Sequence, residues 1–198
     1  PVAGVVPYTL LDIDDEDSLS ERLTAGERKE IDIAVISLPR ISNFTDFSPF
    51  SRFATVSLRY VKNVFELGSP DMIIIPGTKS TISDLKWMRQ NGLEAEILKK
   101  ASRGTPVFGI CGGLQMLGKT ISDPYQTESG SEIAGMGLLP IDTVFAKEKT
   151  RTQTEGTFEG IEGIFGGLNG LTYRGYEIHM GQSDTAVAVV QNGNVYGS

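Results

Sequence analysis

The stretch PVFGICGGLQMLG, Pro106 to Gly118, passes from an apolar segment through a glycine-flanked turn into a helix-like segment. Pro106-Val107-Phe108 reads as a buried strand and Leu114-Gln115-Met116-Leu117 as a helix, with Cys111, the only cysteine of the chain, at the joint. Strand, sharp turn and helix with a nucleophile at the apex make a nucleophile elbow, here with cysteine in place of serine. Glycine on both sides of Cys111 fits a strained turn, open to φ > 0, where strand and helix leave no room for side chains. The unpaired N–H groups and dipole at the helix N-terminus are expected to favour the thiolate, the form that attacks carbonyl carbon. A lone cysteine is more often an inert core thiol. The GxCxG setting straight after a buried strand turns the reading towards a nucleophile.

Outward from this elbow the chain alternates. Ile31 to Ile36 (IDIAVI), Thr55 to Val61, Met72 to Ile75 (MIII) and Val107 to Ile110 are short, mostly β-branched-rich runs, expected as strands of a buried sheet. Thr81 to Gln90 and Leu93 to Ala101 carry helical spacing, with Asn91-Gly92 as the break. That order predicts βαβ units and an α/β sandwich with a largely parallel central sheet. After Asp123 the pattern changes to four further strand-like runs, Met136 to Phe145, Thr150 to Phe158, Leu171 to Met180 and Thr185 to Gln191, which predict a β-rich C-terminal part. Asn192-Gly193 is a hairpin signal, leading into a second strand at Asn194-Val195-Tyr196 that ends with the chain. Pro1 to about Lys29 shows no sustained period and includes the acidic run Asp12-Ile13-Asp14-Asp15-Glu16-Asp17, expected as a solvated connector rather than a docking surface for a basic partner. Residues 1–29 are therefore read as a connector and 30–198 as the domain.

Composition narrows the function. The 198 residues suit one ordinary domain, and 39% hydrophobic content fills its core. A net charge of −7 argues against nucleic acid and anionic membrane as partners. One cysteine excludes an internal disulfide, and one cysteine with one histidine excludes a Cys/His zinc site within the chain, so no metal site is expected. Neither a membrane span nor a signal peptide is visible, which predicts a soluble, cytoplasmic protein. Beginning at Pro1 without methionine, the chain reads as a piece of something longer.

A second glycine turn, Pro76-Gly77-Thr78-Lys79-Ser80, follows MIII and precedes a helix. In a parallel sheet the carboxyl ends of the strands gather along one edge, which places this turn within reach of Cys111. Backbone N–H groups of Gly77 or Thr78, together with that of Gly112, then make an oxyanion hole. The alternative is a plain strand–helix turn with Ser80 capping the helix. The GxxxxGK[ST] spacing of a Walker A loop is absent. Gln115 stands one helical turn after Cys111 and is either a crevice residue or an ordinary polar helix position. His179, in Gly175-Tyr176-Glu177-Ile178-His179-Met180-Gly181, is either a catalytic base or a structural or site-lining histidine.

These residues together resemble the cobyric-acid-synthase family of glutamine amidotransferase domains, in the triad class. The stretches that carry the resemblance span nearly the whole chain: Gly4-Val5-Val6-Pro7-Tyr8, Glu16-Asp17-Ser18, RISNFTDF (Arg40 to Phe47), IIIPGTKSTISDLKWMRQNGL (Ile73 to Leu93), GICGGLQMLG (Gly109 to Gly118), GMGLLPIDTVF (Gly135 to Phe145) and GYEIHMG (Gly175 to Gly181). The resemblance implies a three-layer sandwich of the class I amidotransferase type. It implies that Cys111 attacks the side-chain amide of glutamine, releases ammonia and forms a γ-glutamyl thioester that water hydrolyses. Gly77 and Gly112 match the oxyanion-hole turns, and Gln115 a glutamine-contacting position. The family's catalytic histidine belongs to a later Gly-x-Tyr-x-His-Gly motif, of which Gly197-Ser198 resembles only the first two positions, whereas His179 matches a different motif. The base is thus expected past Ser198 and the chain alone inactive. Beyond this domain, the resemblance implies an N-terminal synthetase domain of the same polypeptide that uses ATP and Mg to amidate carboxylates of a corrinoid, cobyrinic acid diamide; no cofactor is implied for this domain itself.

Two other readings stand beside this one. A cysteine-elbow hydrolase or chaperone of related fold needs no synthetase partner. A degenerate amidotransferase fold serves only as an interaction module.

Overall fold

The computed structural model describes residues 28–128, 130, 132–161, 163–183, 189–191 and 194–196. The acidic connector and the Gly4–Tyr8 stretch, the Asn192-Gly193 turn and Gly197-Ser198 lie outside them. Four strands, β1 (Ile31–Ile36), β2 (Val56–Val61), β3 (Met72–Ile75) and β4 (Val107–Gly109), pair in parallel. At one edge β9 (Val189–Gln191) runs antiparallel to β4 and to β10 (Asn194–Tyr196), giving the order β10-β9-β4-β3-β1-β2. The expected α/β fold with a largely parallel central sheet is thus the one observed. Its apolar runs are strands because both faces are covered: Ile73, Ile74 and Ile75 are each at most 1% exposed.

One face packs on the helices α2 (Thr81–Gln90) and α3 (Leu93–Ala101), which occupy the ranges their spacing predicts. Gly92, at φ 79°, makes the left-handed joint between them. The other face, carrying Ile33, Val35 and Ile74, is covered by Phe47 and Phe50 of a 3₁₀ segment, Phe44–Arg52, which no periodicity announced. A single-turn helix, α1 (Val64–Leu67), was also unannounced; Asn63 caps it by accepting from the Glu66 N–H. The helix after the cysteine turn, α4 (Gly112–Leu117), is only six residues long.

The C-terminal part forms a second sheet, ordered β6-β5-β7-β8 from β5 (Thr120–Ser122), β6 (Glu132–Ala134), β7 (Asp142–Thr157) and β8 (Thr172–Ser183). Here two expectations are corrected. Met136–Ile141 is not strand: its N–H groups bond to the carbonyls ending α4, Met136 to Met116, Gly137 to Gly118 and Leu139 to Leu117, so its apolar side chains serve the core without a ladder. The remainder of the two expected runs merges into the single strand β7, whose pairing with β8 shifts between Phe145 and Thr150. Phe145, Ile141 and Ile121 join Met116 and Leu117 in the main core, so the second sheet is continuous with the first layer.

Candidate active site

Cys111 occupies the turn between β4 and α4 with φ 50° and ψ −113°. Backbone of this kind costs on the order of 1–3 kcal/mol for a residue other than glycine and persists only where surroundings impose it. Here three hydrogen bonds do so: Ile110 N–H to Ile75 O at 3.0 Å, Gly113 N–H to Ile110 O at 2.8 Å and Gln115 N–H to Cys111 O at 3.1 Å. The strain expected of the turn therefore falls on Cys111 itself, not on its glycines. Those glycines answer to space: a Cβ on Gly113 would run into the Ile75 carbonyl oxygen and lie 2.8 Å from Pro76 O.

The two glycine turns face each other. A Cβ on Gly77 would lie 3.7 Å from the Cys111 Cβ and 2.9 Å from Ser42 Oγ. One on Gly112 would lie 2.8 Å from Thr78 Cγ2 and 3.5 Å from the Thr78 nitrogen. Gly77 and Gly112 are thus both brought beside the thiol.

Ser80 does not cap α2. The carboxylate of Glu128, arriving from the loop after β5, takes that place: its two oxygens accept from Thr81 N–H at 2.9 Å and Ile82 N–H at 3.0 Å. A carboxylate outcompetes a hydroxyl at a helix N-terminus because it adds charge to the hydrogen bond. The loop carrying Glu128 is itself wound around Asp123, which accepts from the N–H groups of Thr127, Glu128 and Gly130, each at 2.8 Å, and from Thr127 Oγ1. Burial raises the Asp123 carboxyl, but these donors outweigh it and hold the group well below the usual carboxylate range.

The thiol departs from expectation. Although Cys111 is exposed on one side, burial of its sulfur pushes the pKa up; the Gly112 N–H and Lys149 pull it down, and Glu128 adds a further push upward. Burial is the largest of these effects, so the pKa is raised despite the backbone N–H that starts α4. Proton removal needs a base. His179 belongs to the second sheet. It is half-buried on β8 opposite Thr150, two residues before Gly181, whose backbone abuts the Gln115 amide. Gln115 is 6% exposed, with its amide between Gly181 and Thr81; Thr81 Oγ1 donates to Gln115 Oε1 at 3.4 Å. It therefore meets the site through Thr81, which also lies against Gly112, rather than through an open crevice.

A model of the CobB/CobQ-like glutamine amidotransferase domain matches residues 32–197. The chain belongs to that family. Its curated relatives are longer: it is 58% identical over 194 residues to a cobyric acid synthase of Lachnoclostridium phytofermentans, covering 98% of this chain and 38% of that protein. It is 54% identical over 219 residues to a cobyric acid synthase of Ruminiclostridium cellulolyticum, covering all of this chain and 43% of that one. The chain thus spans about two fifths of these relatives. Among solved structures, a glutamine amidotransferase superposes with a TM-score of 0.56 at 21% identity, covering 79% of this chain and 78% of the other. PurLQS from Thermotoga maritima superposes with 0.55 at 19%, covering 85% and 78%. These two likenesses show the amidotransferase fold. No helix among the described residues is long and apolar enough to cross a membrane.

Sequence reasoning missed Glu128, Asp123 and Lys149. The Pro124, Ser129 and Gly130 cluster marks a loop, but nothing local to it tells where Glu128 is delivered.

Proposed function

We propose that this amidotransferase domain hydrolyses the side-chain amide of glutamine and passes the ammonia to an ATP- and Mg-dependent synthetase domain of the same polypeptide. That domain amidates carboxylates of cobyrinic acid diamide in cobalamin biosynthesis. The observation that carries the glutaminase reading is Cys111 held at positive φ with the Gly77 and Gly112 turns packed on it. The synthetase and corrinoid parts rest on the cobyric acid synthases to which the chain is similar.

In this reading the base takes the Cys111 proton as the sulfur attacks the amide carbon, and the carbonyl oxygen becomes an oxyanion. The N–H groups of Gly77 and Gly112 receive that oxyanion. The base returns its proton to the amide nitrogen, ammonia leaves and a γ-glutamyl thioester remains. Water, deprotonated by the same base, displaces the sulfur and yields glutamate. Gln115 and Thr81 hold the floor beneath the substrate. The raised thiol makes the base indispensable, and we assign it to a histidine after Ser198 rather than to His179. The reading includes a cytoplasmic location, where the reducing pool keeps Cys111 a free thiol.

Cys111→Ala in the full-length polypeptide abolishes glutamine-dependent synthesis and leaves ammonia-dependent synthesis intact, measured as corrinoid amidation with each nitrogen source. Retained glutamine-dependent turnover refutes the assignment. Labelling of Cys111 by diazo-oxo-norleucine in the full-length chain separates a glutaminase from a degenerate interaction domain. An extended chain should hydrolyse glutamine about 100- to 10,000-fold faster than the 198-residue one. His179→Ala in that extended chain should be milder than loss of the later histidine.

A further inference from the structure

Asp84 lies in the first turn of α2 with a side chain that is 0% exposed. Its donors come from the glycine turn of the site and from the strand of chain lying across it. Thr78 Oγ1 donates to Asp84 Oδ2 at 2.6 Å, the Arg40 N–H to Oδ2 at 3.1 Å and Arg40 Nη1 to Oδ1 at 3.1 Å. The Arg40 carbonyl accepts from Lys79 N–H at 2.9 Å and lies 3.1 Å from Thr78 Oγ1, whose single proton goes to Asp84, and the Gly77 carbonyl accepts from Ser42 N–H at 2.9 Å. Segment 40–42 is thereby stitched across residues 77–79, and Asp84 is the node where both sides meet.

A buried carboxylate is a poor choice for stability alone. Removing a charge from water costs several kcal/mol, and well-packed apolar residues often serve as well. The Arg40 guanidinium does not repay that cost, because its side chain is 52% exposed and the pair is screened. What the carboxylate provides is a fixed orientation for the peptide units following Pro76. An oxyanion donor must be held to within about 0.5 Å to act.

We propose that Asp84 is a positioning residue for the glutaminase step, fixing through Thr78 and Arg40 the turn that aims the Gly77 N–H at the oxyanion. This rests on the glutaminase reading above. In the full-length polypeptide, Asp84→Asn lowers the glutamine-dependent kcat about 10- to 100-fold, the size expected of a misplacement of about 1 Å. KM for glutamine stays within about threefold and ammonia-dependent synthesis is unchanged, because the donor acts on the transition state rather than on bound glutamine. Thr78→Val gives the same kcat-only loss, and the double variant is no worse than the stronger single one, since both break one network. A lower melting temperature with wild-type kcat overturns the inference, as do losses that multiply in the double variant. Should Asp84→Asn lose ammonia-dependent synthesis as well, through misfolding, Thr78→Val decides alone: a kcat loss upholds the role and an unchanged kcat overturns it. A wild type that uses ammonia but not glutamine overturns the glutaminase reading and this inference with it. A wild type that uses glutamine beside an Asp84→Asn variant that does so equally overturns this inference alone.

Discussion

The stretch from β1 to α4 and the hairpin of β7 and β8 use their strands in opposite ways. In the first, β3 hides Ile73, Ile74 and Ile75 completely, and the β3–α4 contact is so close that a carbonyl takes the place of a side chain at Gly113. In the second, Tyr173, Tyr176 and Ile178 of β8 are 43%, 76% and 50% exposed, and a Cβ on Gly175 would meet nothing within 4 Å. Cys111 sits in the part where backbone position is over-determined, and the lone histidine sits in the part where it is not. Strain such as that at Cys111 can be imposed only by surroundings that cannot relax.

The largest expected effect tests that contrast directly. Gly113→Ala should lose more than about 4 kcal/mol or fail to fold, because the new methyl group collides with a backbone carbonyl that cannot move aside. Gly175→Ala should stay within about 1 kcal/mol of the wild type, since the strand has room and alanine suits it better than glycine. Soluble yield and thermal unfolding of the two variants provide the comparison; equal tolerance at both sites would show the cysteine turn to be less constrained than its contacts imply.

Next come Gly77 and Gly112, the two glycines packed beside Cys111. Gly77→Val and Gly112→Val should each reduce glutaminase turnover by about 100- to 1,000-fold, the usual loss of one oxyanion donor. Near-normal rates in folded variants would place the hole elsewhere.

The Asp123 loop joins the two parts, and its effect is smaller. Asp123→Asn should destabilise by about 2 kcal/mol near neutral pH, because the amide replaces a charged acceptor of several hydrogen bonds. The folded-state pKa of Asp123 is depressed, so its contribution is present above the unfolded value, about 3.9, and is lost as pH falls below that through the folded value. The wild type should therefore lose more stability than Asp123→Asn on going from neutral pH towards pH 2, as followed by thermal unfolding across that range. Parallel curves would show that Asp123 does not titrate with folding.

The smallest effect is on the thiol. Alkylation of Cys111 should titrate above a free cysteine, Glu128→Gln should move the midpoint down and Lys149→Gln should move it up, since the first removes a negative neighbour and the second a positive one. Opposite or absent shifts would remove these groups from the neighbourhood of the sulfur.

The sequence alone was informative wherever one chemical choice had one structural meaning. Apolar runs bounded by turn residues located β1 to β4, and the spacing of Thr81 to Ala101 located both helices with the Gly92 joint between them. Cys111 between glycines identified the elbow, because backbones that touch leave space for nothing larger. Local pattern was silent or misleading where a residue's role depended on a distant partner. Met136–Ile141 looked like strand because burial alone produces an apolar run, whichever group satisfies the backbone. Ser80 looked like a cap, and Glu128, 47 residues from the Thr81 N–H it binds, took the position by tertiary contact. The thiol's proton affinity likewise followed from the water excluded around the sulfur and from charges at Glu128 and Lys149, quantities that exist only once the chain has folded.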